Sequence, residues 1–104
     1  MERFAFKMKL KPGKIEEYKR RHDALWPELR AVLQGAGIGD YSIFFDAETD
    51  ILFAVQKQAG SASSQDLGEN PVVRRWWDHM ADLMETNPDR SPVTIPLREV
   101  FRLD

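Results

Sequence analysis

An α+β fold is what this sequence predicts, from two periodicities and the order in which they alternate. Phe4, Phe6, Met8 and Leu10 alternate with Arg3, Ala5, Lys7 and Lys9, the period-two pattern of a strand with one apolar face. Val73, Trp76, Trp77, Met80 and Met84 recur three and four residues apart, the period of a helix. Between them the period switches from two to 3.6 and back, so strands and helices are interleaved rather than segregated.

The elements follow in order. The first strand ends at Pro12-Gly13, and helix formers begin at Lys14, with Ile15, Tyr18 and His22 sharing one helix face. Pro27 has no amide proton to donate, so this helix either kinks there or stops near Asp23 and restarts with Pro27 in its first turn. Glu28 to Gln34 continue as helix with Leu29, Val32 and Leu33 as its stripe, and Gly35-Ala36-Gly37 ends it. Tyr41 to Asp46 and Ile51 to Gln56 read as a hairpin across the polar turn Ala47 to Asp50. Ala59 to Gly68, rich in Ser, Ala and Gly, reads as a loop with a weak helical turn. Asn70-Pro71 is an N-cap followed by proline at the first helical position, opening the helix that bears Trp76 and Trp77. After the turns at Asn87-Pro88-Asp89 and Ser91-Pro92, Leu97 to Leu103 reads as a last strand, with Pro96 at its start.

Strand, helix, strand, strand, helix, strand is the ferredoxin-like order: a four-stranded antiparallel sheet with two helical segments on one face. Both hairpin strands are apolar on both faces, Phe44 opposing Tyr41, Ile43 and Phe45, and Leu52 and Ala54 opposing Ile51, Phe53 and Val55. One helical layer cannot cover both, so the second face is expected to pair with another copy, giving a homodimer.

Composition narrows the function. A chain of 104 residues fits one domain spanning 1–104. The 15 Lys and Arg are scattered among 17 Asp and Glu for a net charge of −2, with no basic stripe, so no nucleic-acid partner is expected. With no cysteine, disulfides and thiolate metal sites are excluded, and two distant histidines make no metal pair. The start of the chain alternates charged and apolar residues unlike a signal peptide, and no apolar run reaches membrane-spanning length. A soluble cytoplasmic protein, with no membrane partner, is the expectation. Gly35-Ala36-Gly37-Ile38-Gly39 follows a helix instead of opening one and so lacks the context of a phosphate loop.

Four observations point to chemistry. His22 lies one turn beyond Tyr18 on an apolar face, where burial tunes an imidazole near neutrality; a half-buried helix histidine held by one hydrogen bond fits equally. Tyr18 fits either core with its hydroxyl at the rim or a site shared with His22. Trp76 and Trp77 diverge by about 100° around their helix, so both are rarely fully buried and one of them can face a cavity. Indole faces stack on the C–H surfaces of sugars, although ordinary core tryptophans fit the same pattern. Tyr41 projects either between sheet and helices or into plain core. His79, beside Asp78, reads as a partly exposed bystander, and the pairs Arg20-Arg21 and Arg74-Arg75 read as solvated charge.

Taken together, Glu17-Tyr18-Lys19-Arg20-Arg21-His22, Trp26-Pro27-Glu28-Leu29, Tyr41-Ser42-Ile43, Arg75-Trp76-Trp77 with Met80, and Asn87-Pro88-Asp89 through Ser91-Pro92 resemble the L-rhamnose mutarotase family. The resemblance runs from the first strand to Glu99-Val100-Phe101, and only Lys57 to Asn70 matches nothing in it. It implies a dimeric α+β barrel without metal or cofactor that interconverts the α and β anomers of L-rhamnose. By that resemblance His22 matches the proton donor, and Tyr18, Tyr41, Trp76 and Trp77 match the substrate-binding positions. Two other readings suit the topology: a dimeric ferredoxin-like monooxygenase of the haem- or quinol-oxidising kind, and a non-catalytic sugar-binding module.

Overall fold

The computed structural model describes residues 2–60 and 62–103. Four strands, β1 (Glu2–Lys9), β2 (Ile38–Asp46), β3 (Ile51–Gln58) and β4 (Ile95–Leu97), form one antiparallel sheet in the order β2-β3-β1-β4. Helices α1 (Ile15–Asp23), α2 (Pro27–Gly35) and α3 (Pro71–Met80) complete the α+β fold, with short 3-10 turns at Ser64–Asp66 and Ala81–Leu83.

Strand alternation divides the sheet into two unlike faces. On the inner face Phe6, Met8, Leu52 and Ala54 pack with Leu29, Val73, Trp76, Trp77 and Met80 in one buried cluster. The register sets Phe44 beside Phe53, Phe53 beside Lys7, and Val55 beside Ala5, so these residues share the outer face. Phe44 on this face is 62% exposed.

Pro27 resolves the first helical region into two helices, where two helical segments in all had been expected. Trp26 turns extended (φ −61°, ψ 130°) and Pro27 takes the first position of α2, so the chain stops and restarts. Asn70 caps α3 as its sequence demands, Oδ1 accepting the Val72 amide at 2.9 Å. The helix ends at Met80, earlier than the apolar spacing suggested. Met84 is instead extended and bridges to Leu10, because the 3-10 turn at Ala81–Leu83 carries the chain back to the sheet.

The last strand differs most from expectation. It covers Ile95–Leu97 with Pro96 in its middle, tolerated because this is an edge strand, and residues 98–103 form no strand. The alternation that suggested Leu97 to Leu103 meets no buried surface within the chain: Val100, Phe101 and Leu103 are all exposed. No helix among the described residues is long and apolar enough to cross a membrane.

Candidate active site

Between the inner face of the sheet and the helices lies a cavity of about 690 Å³. Tyr18, His22, Tyr41, Trp76 and Trp77 all line it, so the fold brings all five candidate residues to one place. They arrive from three elements, α1, β2 and α3.

His22 sits in the last turn of α1, its Nδ1 3.0 Å from the Tyr18 carbonyl oxygen. A carbonyl can only accept, so Nδ1 carries a proton and Nε2 is the nitrogen left to gain and lose one. Burial pushes the imidazole pKa down; the Tyr18 carbonyl bond and the negative charge of Asp23 oppose that shift. The Tyr18 ring lies against the imidazole at 4.3 Å between centroids, and Trp76 meets it edge-on at 5.3 Å and 86°. Burial raises the Tyr18 phenol pKa well above its ordinary value, with a smaller push from Tyr41. The Tyr41 phenol is also raised by burial, against the effect of a hydrogen bond from Ser64. Both phenols therefore stay protonated across the neutral range.

Trp76 and Trp77 are both buried, at 8% and 7% exposure, so their divergence around α3 does not force one outward. Trp76 is wedged among His22, Trp26 (5.1 Å between centroids) and His79 (5.6 Å). Trp77 lies under Gly68, where a Cβ would stand 2.9 Å from Cζ3 of the indole. The absence of a side chain at Gly68 is thus what lets the Ser63 to Asn70 segment close over Trp77.

Two residues, Arg21 and His79, do more than their sequence context suggested. Arg21 is not solvated charge: its side chain is only 14% exposed and bonds Glu17 (2.7 Å), Asp82 (2.8 Å) and the His79 carbonyl (2.6 Å). It thereby ties α1, and with it His22, to the end of α3, where a cation also complements the helix dipole. Arg20 is exposed and pairs with Glu17, whose carboxyl Arg20 and then Arg21 hold down at about 2. His79 is exposed, yet its ring stacks on Trp26 at 5.5 Å, so it buttresses the aromatic wall.

Ser64 and Gln65 also line the cavity, and both went unnoticed in a stretch that resembled nothing. The available signal was Ser63 followed three residues later by Asp66. This is a capping box: the Ser63 hydroxyl accepts the Gln65 amide at 3.1 Å and Asp66 accepts the Ser63 amide at 2.8 Å. It folds Ser64–Asp66 into a 3-10 turn that delivers Ser64 to Tyr41. Among the described residues no group of three or more His, Asp or Glu side chains is placed to hold a metal ion.

Fold and cavity together define a class: a small ferredoxin-like α+β enzyme with a partly buried imidazole in an aromatic pocket sized for a small polar molecule. A family model described as L-rhamnose mutarotase matches residues 3–103. The chain belongs to the L-rhamnose mutarotase family. It is 62% identical to the L-rhamnose mutarotase of Phocaeicola vulgatus and 61% identical to that of Bacteroides thetaiotaomicron, each over 104 residues and the full length of both chains. It superposes on the crystal structure of an L-rhamnose mutarotase from Formosa agariphila with a TM-score of 0.93, at 55% identity and full coverage of both chains. These relatives bear out the sequence resemblance rather than the oxygenase or binding-module alternatives.

Proposed function

We propose that this protein interconverts the α and β anomers of L-rhamnose, with His22 as the proton donor and Tyr18, Tyr41, Trp76 and Trp77 holding the sugar. The observation that supports it best is the convergence of these five side chains on one cavity, with the His22 tautomer fixed by the Tyr18 carbonyl. Protonated His22 gives its Nε2 proton to the ring oxygen O5 as the C1–O5 bond breaks and its electron pair moves to O5. The proton on O1 passes to water, and C1–O1 becomes the carbonyl of the open aldehyde. Rotation about C1–C2 exposes the other carbonyl face. O5 then attacks C1, its proton returns to Nε2, O1 regains a proton from water, and the cycle closes with His22 protonated again.

The aromatic walls suit the apolar C–H faces of a pyranose and the methyl at C6 of a 6-deoxy sugar. Besides the side chains named, this reading uses only water. A cytoplasmic homodimer in which the outer sheet faces of two copies meet belongs to the same reading. The exposure of Phe44, Ile95 (50%) and Leu97 (38%) on one face supports that pairing. The experiment is saturation-transfer NMR on equilibrated L-rhamnose: the protein is expected to accelerate exchange between the two anomeric proton signals. Exchange at the uncatalysed rate would refute the activity.

A further inference from the structure

Tyr41 sits at an irregularity in the sheet. Gly39 pairs with Lys57 and Ser42 with Val55, so two residues of β2, Asp40 and Tyr41, stand opposite the single residue Gln56 of β3. This is a β-bulge, and it is paid for in backbone strain at Asp40, whose φ is +46°. The residue facing the bulge is a fully buried glutamine, an unusual occupant for a strand interior.

The hydrogen bonds of Gln56 have only one possible direction. Its Oε1 lies 2.9 Å from the Ser64 backbone nitrogen, which can only donate, so the other amide atom is the NH₂ group. That group donates to Ser64 Oγ at 2.8 Å, and Gln65 Nε2 donates to the same oxygen at 3.1 Å. A serine oxygen has two lone pairs, and with the Gln65 amide oriented as in this structure both are filled. The Ser64 proton must therefore leave as a donor, and Tyr41 Oη lies 3.4 Å away. This last link is long, as hydrogen bonds in ligand-free sites often are before they tighten on binding. Tyr41 cannot return its own proton to Ser64, whose acceptor positions are taken.

We infer that Gln56 and Ser64 are positioning residues that fix the polarity of the Tyr41 hydroxyl, so that Tyr41 presents a proton, not a lone pair, to an acceptor oxygen of the sugar. The inference rests on the proposed binding of sugar in this cavity. It makes Tyr41 a hydrogen-bond donor to bound substrate. Ser64, from a stretch whose sequence suggested no role, thus directs Tyr41.

The test is a mutant cycle on anomer exchange joined to a sugar-free spectrum. Ser64→Ala keeps the backbone amide that binds Gln56 but removes the proton offered to Tyr41. It is expected to raise KM for L-rhamnose roughly 5- to 10-fold, the worth of one neutral hydrogen bond, with kcat within about 2-fold of wild type. Placed on Tyr41→Phe, the same change should add nothing. In protein without sugar, the tyrosine Fermi doublet in the ultraviolet Raman spectrum, isolated by subtracting Tyr41→Phe, should shift in Ser64→Ala to that of a phenol that no longer accepts. An equal KM rise in both backgrounds, or an unmoved doublet, overturns the inference. Should wild-type protein fail to exchange rhamnose anomers, the proposed function falls, while the doublet still decides the direction of the hydrogen bonds.

Discussion

The two faces of this sheet are built from the same alternating strands and have opposite fates. On the inner face, Phe6, Met8, Leu52 and Ala54 pack in one buried cluster with helices of the same chain, and several polar and ionisable groups there have partners, whereas the buried Gln58 Oε1 has none. Gln56 has Ser64, His22 has the Tyr18 carbonyl, and Arg21 has Glu17 and Asp82. On the outer face, Phe44, Ile95 and Leu97 are left exposed. The contrast separates chemistry from assembly: one side of the sheet is closed around a cavity, and the other is the face on which two copies are proposed to meet.

Changes aimed at one face should leave the other's property in place, and the largest effect belongs inside. His22→Ala is expected to slow anomer exchange by about 10²- to 10⁴-fold, the usual worth of a positioned acid–base group, without changing the sedimentation coefficient. Loss of both properties together would mean that the imidazole serves the fold. On the outer face, Phe44→Glu places a charge where two copies are proposed to meet. Analytical ultracentrifugation should show dimer association weakened by at least roughly 10²-fold, while each protomer retains exchange within about 3-fold of wild type. A wild-type protein that stays monomeric at high concentration would remove the assembly half of the contrast. Gly68→Ala is the smallest perturbation. Its methyl group would stand 2.9 Å from Trp77 Cζ3, so the indole must shift or the Ser63 to Asn70 segment must lift. Thermal unfolding should report a loss of about 1 kcal/mol, with KM raised only a few-fold.

The same contrast accounts for what could be read from the sequence. Strand alternation and helical spacing were legible because each reports a single face meeting a single core; β1, the hairpin and α3 follow from them. The break at Pro27 was legible as a choice between a kink and a restart, and the extended conformation of Trp26 decides it. The last strand was misread because Val100, Phe101 and Leu103 are the apolar residue types of a strand but are exposed in the chain, and nothing local distinguishes the two cases. In the site, the five aromatic and imidazole residues stood out by type. Ser64, Gln56 and Arg21 did not, since serine, glutamine and arginine are ordinary surface residues, and only tertiary closure makes them partners of Tyr41 and α1. The bulge that aims Tyr41 at Gln56 is likewise a matter of register, which no spacing within β2 announces.

The pH dependence of kcat/KM for anomer exchange tests the central claim most directly. If His22 in the free enzyme must be protonated to open the ring, kcat/KM will be greatest at acid pH and will fall as pH rises through one ionisation. Burial places that ionisation below the ordinary imidazole value of 6.5, and it should vanish in His22→Gln. A profile that instead rises with pH through the same ionisation would make neutral His22 the base at O1, and one with no ionisation in this range would remove His22 from the chemistry altogether.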